Sequence, residues 1–221
     1  MVKIDFHSHT IYSSDCHVSL STYVQAMSER GIIPAVTDHN NMEAVWKLRK
    51  DFPTFKFIPG EEIKTTGGEI IGLFLEEAIP KGLTPKETVR RIREQGGLVY
   101  VPHPFDGLRK KSALGWKMLE VIHEVDVVEV INSRVYLPGD RKRADDLAGI
   151  KSLRKAAGSD GHSRGEYGRA FVYLPDYALE GPRVMLDALA VGLLGGGWSS
   201  IWVRGHSTAA RVKKFLGMAP E

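Results

Sequence analysis

The stretch Asp5-Phe6-His7-Ser8-His9-Thr10 constrains the fold more than any other part of the chain, and it follows directly on an apolar run at residues 2–4. Alternate side chains of a β-strand point to the same side, so we expect Asp5, His7 and His9 on one face of a strand. Two imidazoles at the end of one strand form half of a site for zinc, iron or manganese. By itself, a His-x-His pair more often marks a surface loop that happens to hold two histidines.

Three later clusters change this interpretation, because each follows an apolar run and places His or Asp where a strand would end. They are Thr37-Asp38-His39-Asn40, Val101-Pro102-His103-Pro104 and Gly158-Ser159-Asp160-Gly161-His162. The carboxyl ends of parallel strands gather at one face of an α/β protein, where side chains from distant positions meet. The four clusters therefore predict a metal site that is assembled from several strand ends.

Strand-like and helix-like segments alternate, which predicts a parallel sheet covered by helices. The predicted strands are residues 2–6, 32–36, 55–58, 69–75, 98–101, 125–131 and 170–174. The predicted helices are residues 19–30, 41–50, 84–95, 114–124, 140–153 and 182–193, and the third of these begins with a capping box of Thr84 and Glu87. This periodicity is compatible both with a closed barrel and with an open, doubly wound sheet.

The composition predicts one soluble globular domain. The chain has 221 residues, of which 43% are hydrophobic and 26% charged, and its net charge is +3. The single cysteine, Cys16, excludes an internal disulfide and is typical of a reducing compartment. The sequence shows no signal-peptide pattern and no apolar stretch near the roughly 20 residues that span a bilayer. We therefore expect a cytoplasmic protein without a membrane partner.

Taken in order, these motifs resemble those of the PHP family, named for polymerase and histidinol phosphatase domains. The matching residues are Asp5-x-His7-x-His9-Thr10, Asp15, Thr37-Asp38-His39, Pro59-Gly60-Glu61-Glu62, His103-Pro104 and Gly158-Ser159-Asp160-x-His162, and the resemblance extends over residues 3–175. It implies an α/β fold, a distorted (β/α)7 TIM-like barrel of the PHP type. It also implies a phosphoesterase barrel at residues 1–175 and a C-terminal segment, residues 176–221, that completes or covers the barrel.

The resemblance implies two or three divalent metal ions, with zinc, manganese and iron as candidates. It assigns the first position to His7, His9, Glu62 and Asp160, and it makes Glu62 a bridge to a second position that His103 shares. These five residues are the expected catalytic group. The third position is assigned to Asp15, His39 and His162. A bridging carboxylate allows two dications to lie close together without prohibitive repulsion.

Two positions require a choice. Adjacent strand residues point in opposite directions, and the family's Gly-x-Glu pattern selects Glu62 over Glu61, which is expected to face a neighbouring element or solvent. Many family members have a metal-binding His where this chain has Glu69. We expect Glu69 to replace it as a ligand of the second metal, which favours manganese or iron over zinc; the alternative is a solvent-exposed Glu at a strand edge. Asp15, where the family varies between His and Asp, is expected to make the third metal more labile.

Four further residues have expected roles beside the metals. Arg109 and Arg134 are candidates for binding substrate phosphate, because guanidinium matches phosphate bidentately, although each is equally compatible with a surface arginine. Lys64 is a weaker candidate of the same kind. Asp38 is expected to orient a ligand imidazole by a hydrogen bond rather than to bind metal.

The remaining histidines and two glycines carry weaker expectations. His17 is expected behind the cluster or in an exposed loop, and His123 in a structural role. Gly158 and Gly161 are expected where the backbone has positive φ or makes a close approach. The tail, which contains His206, a glycine-rich turn at residues 195–197 and four basic residues, is expected either to cover the barrel or to meet a partner; the basic residues are Arg204, Arg211, Lys213 and Lys214.

Three classes of function remain open from the sequence. The leading one is a metal-dependent phosphoesterase that releases phosphate from a small phosphomonoester or nucleotide by metal-activated hydroxide. The second is an amidohydrolase-like metal enzyme that cleaves a C–N or ester bond. The third is a non-catalytic PHP module that only binds metal. Basic runs at residues 109–111 and 141–143 are typical of solvated loops, so nucleic acid is expected only as a nucleotide substrate, and no feature specifies an oligomeric state.

Overall fold

A computed structural model describes residues 1–200 and Lys214, and its strands form one nine-stranded sheet in the order β7-β6-β5-β4-β3-β2-β1-β8-β9. The strands are β1 (Val2–Ser8), β2 (Ile32–Val36), β3 (Ile58–Lys64), β4 (Glu69–Leu73), β5 (Leu98–Val101), β6 (Val127–Asn132), β7 (Arg154–Gly158), β8 (Ala170–Leu174) and β9 (Leu193–Gly196). The helices are α1 (Leu20–Glu29), α2 (Glu43–Asp51), α3 (Pro85–Glu94), α4 (Pro138–Ile150) and α5 (Pro182–Leu189). Short 3₁₀ helices span Gly115–Glu120, Ile122–Glu124 and Asp176–Glu180.

Strands β1 to β7 curl into a nearly closed barrel, which confirms the predicted distorted TIM-like fold. The two ends of this seven-stranded series meet just beyond β7, where Asp160 N donates to His7 O at 2.7 Å and His9 N donates to Gly161 O at 3.1 Å. Strands β8 and β9 are attached outside the series, because β8 pairs antiparallel with β1 and β9 pairs antiparallel with β8. The carboxyl end of β1 therefore lies beside the turn that follows β7.

The sheet is mixed rather than wholly parallel, which corrects the expectation from the alternating pattern. β3 pairs antiparallel with β4, and β4 pairs antiparallel with β5. The link between β3 and β4 is the short turn around Gly67 and Gly68, where Thr65 N donates to Gly68 O at 2.8 Å. A parallel connection needs a crossover of a dozen or more residues, and so short a link leaves room only for a hairpin.

Two apolar cores hold these layers. Side chains of α1 to α4 pack on the sheet in one cluster, represented by Met27, Leu48 and Ile92. The second cluster joins several strands to α5 and includes Phe6 and Tyr100, whose rings stack with centroids 6.2 Å apart. Both residues lie next to the strand ends that carry the predicted ligands, so the packing fixes the backbone from which those ligands project.

Three predicted elements differ from the structure. The third strand begins at Ile58 and continues to Lys64, whereas the prediction placed it at residues 55–58; pairing with β2 begins only at Ile58. Residues 114–124 form 3₁₀ segments instead of an α-helix. The last helix ends at Leu189, and the expected glycine-rich turn contributes strand β9. A Cβ at Gly196 would lie 2.2 Å from Arg169 O, so only glycine allows this approach to β8.

The tail is described only in part. Arg204, His206, Arg211 and Lys213, for which a covering or partner-binding role was expected, lie outside the described residues. Lys214 donates to the carbonyl oxygens of Ile11 and Ser13, in the loop that follows β1. Within residues 1–200, no helix has the length and apolarity that crossing a membrane requires.

Candidate metal centre

The nine predicted metal ligands lie together at one end of the barrel, where the parallel strands have their carboxyl ends and the antiparallel β4 begins at Glu69. Eight of them form four groups of three whose potential ligand atoms are all within 4.8 Å of one another. These groups are His7, His9 and Asp160; His7, Glu62 and His103; His39, Glu62 and Glu69; and His9, His39 and His162. The ninth, Asp15, has Oδ1 at 3.2 Å from His162 Nε2 and 3.5 Å from His39 Nε2.

The first position has the dimensions of a metal site. His7 Nε2 lies 3.1 Å from His9 Nε2, and both nitrogens are 3.4 Å from Glu62 Oε2. Asp160 Oδ1 is 3.7 Å from His7 Nε2 and 3.4 Å from His9 Nε2. Four ligands placed tetrahedrally at about 2.1 Å from one ion are about 3.4 Å apart. The two imidazole nitrogens together with either carboxylate oxygen therefore have the spacing of ligands around one small dication.

Hydrogen bonds on the far side of each ring fix which nitrogen faces the cluster. His7 Nδ1 lies 3.1 Å from Glu129 Oε1, and because a carboxylate only accepts, Nδ1 carries the hydrogen. Ser13 Oγ donates to Asp38 Oδ1 at 2.6 Å, so its oxygen accepts from His9 Nδ1 at 2.9 Å. In both neutral rings Nε2 then presents a lone pair to the cluster.

When both rings are neutral, four electron-pair donors converge, and a cation or a proton is what such a buried set requires. Burial alone would lower the pKa of His7, but the charges of Glu62, Asp160 and Glu129 raise it well above its usual range. Burial and the charges of His162 and His39 hold the pKa of His9 well below its usual range. The site is therefore a strong attractor for positive charge, which protons or metal ions can supply.

Both carboxylates of this position are held in the ionised form. Burial would raise the pKa of Glu62, but the charges of His7 and His39 keep it well below its usual range. Burial would likewise raise the pKa of Asp160, and Arg109 and His7 keep it well below. Ionised carboxylates are the form that binds metal.

The second position shares Glu62 with the first. Glu62 Oε1 lies 3.2 Å from His103 Nε2, whereas its Oε2 faces His7 and His9, so the two oxygens are directed at different positions. His103 has φ of 26°, an uncommon conformation for a residue other than glycine, and its N–H donates to Glu129 Oε2 at 2.7 Å. This arrangement suits a carboxylate bridge between two dications.

Glu69 points into this region and not into solvent. It is 7% exposed, its Oε2 lies 3.8 Å from His103 Nε2, and its Oε1 lies 3.4 Å from Lys64 Nζ. The alternative of a solvent-exposed strand-edge Glu is therefore wrong. Ligation of the second metal by Glu69 stays a prediction, as does phosphate binding by Lys64, which faces Glu69 across the β3–β4 pair.

The third position brings Asp15 together with His39 and His162. Burial would raise the pKa of Asp15, but His162 and His39 lower it far below its usual range. His39 Nδ1 lies 2.9 Å from Glu62 Oε2, and its Nε2 lies 3.5 Å from Asp15 Oδ1 on the other side of the ring. His39 is also the most open of these ligands, with 20% of its side chain exposed. It therefore marks the side from which solvent reaches the cluster.

The turn after β7 positions Asp160 through close backbone packing. A Cβ at Gly158 would lie 2.4 Å from His7 Cβ, and one at Gly161 would lie 2.8 Å from the Tyr167 ring. These glycines therefore serve a close approach, and the positive φ belongs to Asp160, at 52°. The carboxylate of Asp5 accepts from Ser159 N at 2.8 Å and so anchors this turn.

The two predicted phosphate-binding arginines both lie beside Asp160. Arg109 Nη1 donates to Asp160 Oδ2 at 2.6 Å, and its Nε donates to Asp106 Oδ2 at 2.7 Å. Arg134 is 5% exposed, and its Nη1 lies 2.7 Å from His162 Nδ1. Neither is an ordinary surface arginine, and their binding of substrate stays a prediction.

The sequence analysis missed Glu129, the residue that links the first two positions. Its carboxylate is buried and accepts from His7 Nδ1, Tyr100 Oη, His103 N and Asn132 Nδ2. The pairing of β6 with β7 shifts register between Glu129 and Ile131, and such bulges re-aim side chains beside active sites. A lone Glu inside the apolar run of residues 127–131 was the signal that could have found it.

The structure also tests the predictions made for residues beside the ligand set. Asp38 orients His9 through Ser13, as the hydrogen bonds above show. Glu61 is buried and faces a neighbouring element, since its Oε2 accepts from Ile79 N at 2.7 Å. His17 is half-buried, and His123 is exposed in a 3₁₀ segment, so a structural role for His123 in an amphipathic helix is wrong.

Comparisons with known proteins bear on the family and the fold of this chain. A sequence model of the PHP domain matches residues 5–94. An uncharacterized protein of Methanocaldococcus jannaschii is 37% identical over 185 residues, which covers 82% of this chain and 74% of that protein.

Two solved structures share the fold. One is a two-domain protein of Bacteroides vulgatus described as containing a predicted PHP-like metal-dependent phosphoesterase (TM-score 0.73, 20% identity), and the match covers 89% of this chain and 65% of that one. The other is described as an amidohydrolase from Chromobacterium violaceum with bound sulfate (TM-score 0.63, 16% identity), and the match covers 86% of this chain and 97% of that one.

Proposed function

The chain belongs to the PHP domain family, and from this premise we propose that it is a metal-dependent hydrolase that releases phosphate from a small phosphomonoester or nucleotide. Zinc, manganese or iron bound at the cluster would polarise phosphoryl oxygens and make a water molecule acidic enough to attack phosphorus at neutral pH. His7, His9, Glu62 and Asp160 would hold one ion. Glu62 and His103, with Glu69, would hold the second.

The observation that carries this proposal is the position of Arg109. Two of its nitrogens are hydrogen-bonded to Asp160 and Asp106, but its buried Nη2 has no hydrogen-bond partner among the described residues. A buried guanidinium N–H without an acceptor is costly unless a ligand supplies one. Because Arg109 is bonded to the same carboxylate that faces His7 and His9, an oxyanion at the cluster would lie within reach of this nitrogen.

The neighbouring carboxylates keep Arg109 charged, as binding of an oxyanion requires. Burial would lower the pKa of Arg109, but Asp160 and Asp106 raise it far above its usual range, so the guanidinium is permanently charged. A charge-assisted, planar donor matches phosphate better than it matches a neutral amide. This preference favours a phosphoester over the substrate of an amidohydrolase.

The only cysteine is unsuited to act as a nucleophile in place of an activated water. Cys16 is fully buried, and burial raises the pKa of its thiol to about 12. Its Sγ lies 3.6 Å from the carbonyl oxygen of His9 and 3.4 Å from that of His162, and either can accept the thiol hydrogen. A protonated thiol that supports two ligand-bearing backbone segments has a structural role.

The opening of the site favours a small substrate. Most ligand side chains are less than 10% exposed, and the accessible groups are His39, Arg109 and Lys64, with 20%, 24% and 39% of their side chains exposed. A phosphoryl group presented on a flexible ester can enter through this opening, with the remainder of the molecule outside. The proposed covering role of the C-terminal segment is supported at Lys214, which contacts the loop after β1.

The test is phosphate release from sugar phosphates, nucleoside monophosphates and an aryl phosphate by metal-supplemented protein, with amide and carboxyl ester substrates in parallel. Arg109→Lys should raise KM about tenfold or more, because a hydrogen bond to a charged group contributes about 1.5–3 kcal/mol. The matched control is Arg91→Lys, on the exposed side of α3, which should leave KM unchanged.

Each other outcome contradicts the proposal. Amide hydrolysis without phosphate release would identify an amidohydrolase-like enzyme. Bound metal without turnover of either substrate class would identify a non-catalytic metal-binding module. An unchanged KM for Arg109→Lys would remove Arg109 from substrate binding.

A further inference from the structure

His162 has two competing partners at one ring nitrogen. Its Nδ1 lies 2.7 Å from Arg134 Nη1 and 2.8 Å from the carbonyl oxygen of Asp160. A guanidinium only donates and a carbonyl oxygen only accepts, so Nδ1 serves Arg134 with a lone pair or Asp160 with a hydrogen, but not both. The side chain of His162 is 3% exposed, so water does not take over either role.

The choice at Nδ1 decides what Nε2 can do. When Nδ1 accepts from Arg134, the hydrogen of the neutral ring is on Nε2, which lies 3.2 Å from Asp15 Oδ1. In that tautomer Nε2 has no lone pair for a metal. When Nδ1 donates to Asp160 O, Nε2 is free to bind a metal with Asp15 and His39, but two hydrogens would then face each other unless Arg134 moves away.

We propose that Arg134 and a metal ion at the third position compete for His162, and that a phosphate-class oxyanion opens this position by engaging Arg134. Arg134 Nη1 lies 4.0 Å from Asp160 Oδ1, the oxygen that is 3.4 Å from His9 Nε2. A phosphate at the cluster is therefore within reach of the guanidinium. Once Arg134 donates to the oxyanion, the ring hydrogen of His162 moves to Nδ1 and Nε2 becomes a ligand.

The consequence is a third metal position that binds tightly only when the anion is present. Glu166 provides a further support of Arg134, with Oε1 at 3.4 Å from Nε, so the guanidinium can exchange its Nη1 partner while its Nε contact is kept. By linkage, the ion at the third position also raises the affinity for the anion. This proposal rests on the proposed function only for the class of the anion.

The first test measures Mn²⁺ binding to the full chain, with and without inorganic phosphate. The electron paramagnetic resonance signal of free Mn²⁺ reports how much of the ion remains unbound. In the wild type, phosphate should raise the affinity of the weakest site by about 5-fold or more, the lower end of usual coupling factors. Arg134→Met should raise the affinity of that site by a similar factor in phosphate-free buffer. An affinity that is unchanged or lowered in Arg134→Met overturns the proposal.

Arg109→Met is the matched control for charge. It removes an equal positive charge whose side-chain hydrogen bonds, among the described residues, go to Asp160 and Asp106 and not to His162. If the proposal holds, Arg109→Met has a much smaller effect on the weakest site than Arg134→Met. If the two variants change the affinity of the weakest site equally, the loss of a positive charge explains the effect, and the proposed competition for His162 is refuted.

The second test reads the wild-type protein directly and uses a variant only to assign the signal. Ring ¹⁵N chemical shifts of His162, assigned by loss of the signal in His162→Gln, report which nitrogen carries the hydrogen. We expect the Nε2–H tautomer in metal-free wild type and the Nδ1–H tautomer with Zn²⁺ and phosphate together. An Nδ1–H ring in the metal-free protein would overturn the proposal.

Failure here is distinct from failure of the proposed function. If the protein hydrolyses phosphoesters but the metal affinity of its third position changes neither with phosphate nor in Arg134→Met, the proposed function stands and the competition between Arg134 and metal is refuted. If the protein hydrolyses no phosphoester but binds a third metal ion when phosphate is present, the competition stands and the proposed function is refuted.

Discussion

Glu129 Oε1 lies 3.1 Å from His7 Nδ1, and the same carboxylate accepts from His103 N through Oε2 at 2.7 Å. One buried carboxylate therefore orients ligands of both the first and the second metal positions. It does so from β6, a strand that contributes none of the predicted metal ligands. The precision of the cluster depends on this residue as much as on the ligands themselves.

Glu129→Gln should weaken metal binding at the first position by about 10- to 100-fold, the usual effect of removing a group that orients a ligand. All four of its partners donate hydrogen bonds to Glu129, and an amide supplies only one acceptor atom, so two of these donors would face an NH₂ group. Competition with a chelator measures the change. Glu120→Gln, at an exposed position, is the control; equal affinities in the two variants would contradict the role of Glu129.

His7→Ala and Asp160→Ala should each abolish phosphate release while the fold persists, because both side chains belong to the first metal position. Loss of a catalytic metal removes several kcal/mol of transition-state stabilisation. Phosphate release and circular dichroism measure the two effects. A variant with full metal content and more than about a tenth of the wild-type rate, a difference of roughly 1.4 kcal/mol, would contradict the assignment.

Glu69→Gln should weaken the second metal, because a neutral amide is a poorer ligand than a carboxylate, and Glu69→His should restore binding with a shift toward zinc. Metal occupancy and activity of the two variants, measured with zinc and manganese in turn, check this. Wild-type occupancy and rate in Glu69→Gln would remove Glu69 from the site. Lys64, 3.4 Å from Glu69, would then be its functional partner.

The protein should contain at least two transition-metal ions per chain, since the first two positions supply His7, His9, Glu62, His103 and Asp160 from four separate strand ends. Elemental analysis after expression in metal-supplemented medium gives the number. Removal of the metals by a chelator should lower the melting temperature, because ions that bind only the folded state stabilise it by mass action. Less than one equivalent per chain would refute the cluster.

Glu61 should make the free energy of unfolding depend on pH even when no metal is bound. Burial raises the pKa of its carboxyl to about 7 from 4.5, against the opposing hydrogen bond from Ile79 N. Its protonated form is favoured in the folded state, so this contribution is complete below pH 4.5 and is lost as pH rises through 7. Glu61→Gln, a neutral isostere, should therefore stabilise the protein relative to wild type at pH 8 by on the order of 2 kcal/mol, and much less at pH 4.5.

Denaturant unfolding of wild type and Glu61→Gln at the two pH values measures this difference. The comparison is made within one chelator-treated sample set, so that metal binding does not contribute. A stability difference between the two proteins that is the same at both pH values would show that Glu61 is ionised in the folded protein at neutral pH.

The local sequence pattern was sufficient to predict the position of some elements. Strand β2 and the start of α3 at Thr84, whose Oγ1 accepts from Glu87 N, agree with the prediction. Phe55 and Phe57 were assigned to a strand because they are apolar, yet their rings stack on each other at 6.2 Å and pairing begins only at Ile58. Periodicity reports which residues avoid water and not which backbone they pair with.

The sequence by itself determined the family, the barrel and the set of ligand-type residues, because metal binding demands particular side chains at strand ends and these are visible as motifs. Only the tertiary structure decided how the set is connected. Glu129 reaches His7 from a strand 122 positions away in sequence, and Arg134 reaches His162 from 28 positions away. Hydrogen bonds of this kind depend on distances of a few tenths of an ångström between distant segments, which no local pattern encodes.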